Sequence, residues 1–179
     1  GRWLNIFGTS GSGKTHLSKI LGKKIKKSKI INANEIGQDT VSNLEKIECL
    51  IIDDYKNNIE EKIFYSILDE SKQLNKYIVI NSNDSLKDFS FNLKDLKSRT
   101  NSFIFIGINL PTDELLKVII SKSFSEKQID INPKTIDYII KNIERSYEKI
   151  LRFLRDIDEL SLSSGKSINI NLIKKVLSQ

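Results

Sequence analysis

Gly8-Thr9-Ser10-Gly11-Ser12-Gly13-Lys14-Thr15 is the stretch that decides the fold. The segment before it, Trp3-Leu4-Asn5-Ile6-Phe7, reads as a short buried strand. A helix is predicted from Lys14 to about Lys27, with Leu17, Ile20, Leu21 and Ile25 on one apolar face. Strand, glycine-rich turn and helix in this order, with Gly8 and Gly13-Lys14-Thr15 at this spacing, match a phosphate-binding loop in full. Glycines let the backbone curl so that its N–H groups face phosphate oxygens, and the helix that follows points its positive end at the same place. The pattern predicts a nucleoside triphosphate, ATP or its product ADP, held with Mg²⁺ by Gly8, Ser10, Gly11, Ser12, Gly13, Lys14, Thr15 and His16. Lys14 would contact the β- and γ-phosphates, and the Thr15 hydroxyl would ligate Mg²⁺. The bland reading, a glycine-rich turn without a ligand, does not account for the strand and helix on either side.

Working outward, further strands are predicted at Lys29–Ala33, Glu48–Asp54, Tyr77–Asn83 and Phe103–Ile108. Helices are predicted at Ile59–Asn75, with Ile63, Phe64, Ile67, Leu68 and Leu74 inward, and around Leu93–Ser98. The polar stretch from Asn34 to Lys46 has helical potential at best. This alternation implies a parallel sheet covered on both faces. After Pro111 the pattern changes to helices only, at about Thr112–Lys127, Pro133–Asn142, Ser146–Ser163 and Asn169–Leu177. Pro133 suits a first helical turn and Gly165 a helix stop. Two domains follow, an α/β nucleotide-binding part over 1–110 and a small helical bundle over 111–179.

Asp53 and Asp54 end the most apolar strand, Cys49-Leu50-Ile51-Ile52. Downstream of a phosphate loop, Asp53 would hold the metal and Asp54 could polarise the attacking water. A solvated strand end is the plain alternative. Asn83 closes the third long strand, where its amide would face the γ-phosphate; otherwise it is a turn residue. Arg99 carries a charge suited to a transferring phosphoryl group, often across a subunit boundary. Arg145, Arg152 and Arg155 lie near the start of the long bundle helix, and one could reach the nucleotide; a solvated basic stripe is the alternative.

The net charge is +6 and the pI near 9.2. Because the lysines are scattered among acids, compositional bias explains this better than a nucleic-acid footprint. No apolar run is long enough for a membrane helix. The single cysteine, Cys49, excludes an internal disulfide, and a cytoplasmic location is expected. The chain has no methionine and opens almost directly on a strand, so a fragment or a trimmed N-terminus is expected.

With these positions in hand, the chain resembles the AAA+ module of the bacterial replication-initiator DnaA family, and within it the DnaA-related regulators of the Hda type. The resemblance rests on Gly13-Lys14-Thr15-His16-Leu17, Leu50-Ile51-Ile52-Asp53-Asp54, Ile78-Val79-Ile80-Asn81-Ser82-Asn83, Leu93-x-Asp95-Leu96-x-Ser98-Arg99, Glu144-Arg145-Ser146-Tyr147 and Gly165-Lys166-Ser167-Ile168. It implies a five-stranded parallel sheet of order 5-1-4-3-2 between helices, followed by an all-α lid. It further implies that Asn83 is the sensor-1 residue and Arg99 an arginine finger. Arg145 is the best candidate for the sensor-2 arginine, one turn before Glu148 on a similar helix face. Hydrolysis by the chain itself would be weak or partner-dependent.

The partner implied is a DnaA-type initiator AAA+ module, whose ATP such a regulator causes to be hydrolysed, switching initiation off. A sliding clamp is a possible second partner, through a peptide ahead of the first strand. Two departures argue against an origin-melting initiator: Cys49 comes 19 positions after Ile30, too few for the initiator's DNA-contacting helices, and the sequence ends after the lid. DNA contact is therefore expected to be weak or indirect, and no membrane contact is expected. An initiator core cut from its DNA-binding domain, or another P-loop ATPase of DNA replication, is the alternative.

Overall fold

Five short, mostly apolar segments form one parallel sheet, because each is joined to the next by a crossover that returns the chain to the same end. The computed structural model describes residues 2–165 and 168–178. The strands are β1 (Trp3–Phe7), β2 (Ser28–Asn32), β3 (Cys49–Tyr55), β4 (Tyr77–Ser82) and β5 (Ile104–Gly107), in the order β2-β3-β4-β1-β5. This is the expected order read from the other edge. The helices of this unit are α1 (Lys14–Lys24), α2 (Gln38–Ser42), α3 (Glu61–Gln73) and α4 (Lys94–Thr100). Residues 33–48 hold only α2 and two single turns, at Ala33–Glu35 and Leu44–Lys46. The chain divides into two compact units, Gly1–Asn109 and Leu110–Gln179.

Alternation along the strands fills two cores, one on each face of the sheet. Leu50, Ile52, Ile78 and Ile80 join Phe64, Ile67 and Leu68 of α3 on one face. Cys49, Ile51, Val79 and Ile6 face the other side, where Leu17, Leu21 and Ile25 of α1 and its flank cover them. Tyr55 breaks the parity. It is odd-numbered like Cys49 and Ile51 but packs with Leu50 and Ile52. The cause is a bulge: Ile52 pairs with Ile80 and Tyr55 with Ser82, so Asp53 and Asp54 together oppose Asn81. Asp54 absorbs the extra length at φ 58.

Two helix faces differ from the sequence pattern. Ile20 is 41% exposed, and α1 buries Ser18 and Gly22 instead. Small residues let this helix lie close to the sheet; a Cβ on Gly22 would stand 3.2 Å from Ile51 Cδ1. Leu74 is not inward either: α3 stops at Gln73, Leu74 caps it, and Asn75 at φ 55 turns the chain away.

The second unit comprises α5 (Asp113–Glu126), α6 (Pro133–Asn142), α7 (Tyr147–Ser164) and α8 (Ile170–Leu177). Thr112, Asn132, Ser146 and Asn169 each cap a helix by accepting a backbone N–H. Pro133 opens α6, and Gly165 closes α7 at φ 61. Leu116, Ile120, Phe124, Ile139, Ile150, Ile157 and Ile173 form its core. Lys166 and Ser167 of the C-terminal motif lie outside the described residues. Among the described residues no helix is long and apolar enough to cross a membrane.

Candidate nucleotide site

The loop between β1 and α1 curls through three left-handed or near-left-handed glycines, Gly8 at φ 153, Gly11 at φ 75 and Gly13 at φ 95. Gly8 has no room for a side chain: a Cβ there would lie 2.2 Å from the Ile108 carbonyl oxygen. The Gly8 N–H donates to the carbonyls of Asn83, at 3.1 Å, and Ser82, which fixes the loop on the end of β4. Lys14 Nζ donates to the carbonyls of Gly8 at 2.5 Å and Thr9 at 3.0 Å, and to Asn83 Oδ1 at 3.4 Å. Burial holds this ammonium below the ordinary lysine range, against the opposing pull of Asp53 and then Asp54.

Thr15 Oγ1 donates to both Asp53 oxygens, at 3.1 and 3.0 Å. The residues present fit a magnesium nucleotide. Ser12 Oγ is buried and, among the described residues, has no hydrogen-bond partner, as a hydroxyl intended for a phosphate oxygen would be. Beside it stand a hydroxyl–carboxylate pair of the hard oxygen type that Mg²⁺ takes and one lysine. Thr15 and Asp53 would hold the ion, and the loop amides, Ser12 and Lys14 the phosphates.

The expected positions divide into those brought together and those left apart. Gly8, Gly11, Ser12, Gly13, Lys14, Thr15, Asp53 and Asn83 converge at the C-terminal ends of β1, β3 and β4. Ser10 and His16 are at the exposed rim of the same loop and helix turn. Asp54 adjoins the site, but its carboxylate is half-exposed and paired with Lys56 at 2.9 Å.

Arg99 lies elsewhere. It sits near the end of α4, which feeds the N-terminal end of β5, while the loop follows the C-terminal end of the parallel neighbour β1. Its guanidinium forms an ion pair with Asp69, donates to Tyr65 Oη at 3.2 Å and lies 4.8 Å from the Tyr65 ring. The Tyr65 hydrogen bond holds it above the ordinary arginine range; burial opposes this and Asp69 adds to it. It lines an open cavity of about 710 Å³ with Arg2, Trp3, Asn75 and Asp95.

Arg145 belongs to the second unit and is not on a helix. It precedes the α7 cap Ser146 and pairs with Asp113 at 3.0 Å, so the expected helix-face match with Glu148 does not hold. Two further residues join the site without having been singled out in the sequence. Asn81 Nδ2 donates to Asp53 Oδ1 at 2.8 Å, and Ser18 Oγ donates to Asn81 Oδ1 at 2.8 Å. Their signal was polarity in otherwise apolar positions, at the end of Ile78-Val79-Ile80 and one residue after Leu17.

Two family models match the chain, one described as RNA helicase over residues 4–102 and one described as Hda, lid domain, over residues 113–177. Among solved structures, the chain is similar to a replication initiator DnaA bound to AMPPCP and single-stranded DNA, at 21% identity and TM-score 0.71 over 88% of this chain and 55% of that one. It is similar to domain III of the Thermotoga maritima replication initiation protein DnaA, at 18% identity and TM-score 0.73 over 98% of this chain and 83% of that one. The Thermotoga maritima RuvB Holliday junction branch migration motor gives 19% identity and TM-score 0.74 over 99% of this chain and 61% of that one. The chain thus spans little more than half the length of the first of these structures.

Proposed function

The chain is a DnaA/Hda-like AAA+ module, belonging over residues 4–102 to the RNA helicase family of P-loop ATPases and over 113–177 to the Hda lid family, and from that premise we propose that it is a nucleotide-holding regulator of replication initiation. Its loop holds ATP or ADP with Mg²⁺, and Arg99 is offered to the ATP on the AAA+ module of a DnaA-type initiator. Bound Mg²⁺ would neutralise charge on the phosphates. Lys14 and the loop amides bind phosphate oxygens, Thr15 and Asp53 orient the ion, Asn83 senses the γ-phosphate, and Asp54 orients a water.

The observation that carries this reading is the place of Arg99. It lies at the edge of the sheet opposite the chain's own loop, and β1 alone spans about 16 Å at ~3.3 Å per residue. An arginine so placed serves a neighbour's nucleotide rather than its own. In the partner, water attacks the γ-phosphorus, the bond from that phosphorus to the β–γ bridging oxygen breaks, and ADP and phosphate leave. Arg99 stabilises the charge on the transferring oxygens. To do so the guanidinium exchanges Asp69 for the partner's phosphate. The short 33–48 segment, without long helices, also favours a regulator over an origin-melting initiator.

The test is single-turnover hydrolysis by ATP-loaded initiator with this protein, sliding clamp and DNA added. Wild type is expected to accelerate ADP formation, Arg99→Ala to lose the acceleration by ~10³-fold, and Arg99→Lys to recover only part of it. Equal acceleration by Arg99→Ala sinks the mechanism.

A further inference from the structure

Asn81 has a position that the strand pattern does not explain. It follows Ile78, Val79 and Ile80 in β4, is fully buried and faces α1. An amide there costs free energy unless both of its ends are bonded. Both are. An ionised carboxylate only accepts, so the Asp53 contact must come from Nδ2; Oδ1 is then left for the Ser18 hydroxyl. Ser18 is itself buried, in the turn of α1 after Thr15. Two buried polar side chains from two elements thus serve one oxygen of one carboxylate.

We propose that Asn81, held by Ser18, is a positioning residue that fixes the Asp53 carboxylate for the Mg²⁺ of the bound nucleotide. The assignment rests on the phosphate-loop reading of the site. Asp53 stands in the bulge of β3, where the pleat no longer dictates side-chain direction. Thr15 spans both oxygens nearly equally and so does not choose between rotations of the carboxylate. Asn81 breaks that symmetry at Oδ1, leaving Oδ2, among the described residues, with Thr15 alone. Because Ser18 and Thr15 share α1, the chain Ser18–Asn81–Asp53–Thr15 closes a ring through that helix. It ties the helix carrying the phosphate lysine to β3, which carries Asp53, and to β4, which leads directly into Asn83. Partners of this kind, which orient a ligand without touching the metal, change metal affinity by ~10- to 100-fold when removed.

The experiment is a titration of the purified protein with a fluorescent (mant) ADP, in EDTA and in MgCl₂, for wild type, Asn81→Leu and Ser18→Ala, with folding checked by circular dichroism. In wild type Mg²⁺ tightens binding. Asn81→Leu, close in volume, is expected to cut that tightening by ~10-fold while leaving the EDTA affinity within about twofold. Ser18→Ala is expected to show the same pattern at ~3-fold, and it decides the question alone if Asn81→Leu does not fold. A purely structural role would weaken binding equally with and without Mg²⁺. That result, or an unchanged Mg²⁺ effect in a folded variant, overturns the proposal. Failure of wild type to bind in either buffer instead overturns the phosphate-loop reading, and the assignment of Asn81 with it.

Discussion

Cys49 offers a measure of how firmly the sheet of the first unit is closed. It begins β3, between β2 and β4, is fully buried and is free. Burial pushes its thiol up from 9.0 to about 11. At pH 8 that shift alone lowers the thiolate fraction, and with it the labelling rate, by ~100-fold relative to the unfolded chain. Occlusion adds to this. If reagent reaches the sulfur only when the unit opens, protection follows the opening equilibrium, and a stability of ~5 kcal/mol already gives close to ~10⁴-fold. The assay is the rate of reaction with a coloured disulfide reagent at pH 8, native and in urea. Protection of ~10⁴ or more is expected, with a further ~100-fold slowing at ADP one hundred times its dissociation constant, because ligand stabilises the closed unit by ~2.7 kcal/mol. Protection of only ~100-fold would mean that the thiolate shift explains everything and that β3 is open to solvent. A rate indifferent to bound ADP would detach the strand from the site.

The same thiol makes stability depend on alkaline pH. A folded-state value above the unfolded one means that the contribution is fully present below about 9.0 and is lost as pH rises toward about 11, by up to ~3 kcal/mol; urea midpoints should fall over this window in wild type and less in Cys49→Val. Glu61 behaves oppositely: its carboxylate accepts from the N–H groups of Asn92 and Leu93 at 2.9 and 2.8 Å, which hold it below the usual range. Its contribution is present above the ordinary carboxylate range and lost as pH falls through the lowered value, so the 92–93 amides should lose hydrogen-exchange protection on acidification and, at neutral pH, in Glu61→Ala. Phe124→Ala, in the core of the helical unit, should cost ~3–5 kcal/mol by urea unfolding. Asp54→Asn should retain mant-ADP binding in MgCl₂ and slow the chain's own single-turnover hydrolysis; an unchanged rate would remove Asp54 as the water-orienting group.

Most of the fold was legible because its signals are local. Gly8 to Thr15 fixes a strand, a turn and a helix by backbone chemistry, and the apolar runs at 49–52 and 78–80 admit only buried strands. Pro133 and Gly165 marked real helix ends for the same reason, one by its fixed φ and the other by its left-handed φ. What escaped depended on distance or on a count. Ile20 was read as inward because periodicity sees hydrophobicity, whereas close approach of α1 to the sheet selects smallness, at Ser18 and Gly22. The bulge at Asp53-Asp54 leaves no trace in a sequence of strand residues; it is visible only in the register with β4. Arg145 was matched to the helix face of Glu148 by spacing, but it stands before the cap Ser146, and the helix starts only at Tyr147. Asn81 was passed over because a polar residue at a strand end usually meets water, and only the packed structure shows that this one meets Ser18 and Asp53.

The two ends of the sheet are joined by one helix. Glu61, Tyr65 and Asp69 repeat every fourth residue along α3, so they form a single stripe beside the face that buries Phe64, Ile67, Leu68 and Ser71. The first of them holds the backbone leading into α4, and the other two hold Arg99 at its end. The position of Arg99 is therefore set by α3. The seating of α3 is set in turn by the core, where Phe64 packs on Tyr55 with ring centroids 5.3 Å apart. Tyr55 reaches that core only because the bulge moved it across the sheet, and the residue that the bulge accommodates is Asp54. A regular strand through 53–55 would send Tyr55 to the α1 side, remove the main aromatic support of α3 and shift the arginine. One irregularity in β3 thus sets both the acid beside the glycine-rich loop and the seat of the arginine at the far edge.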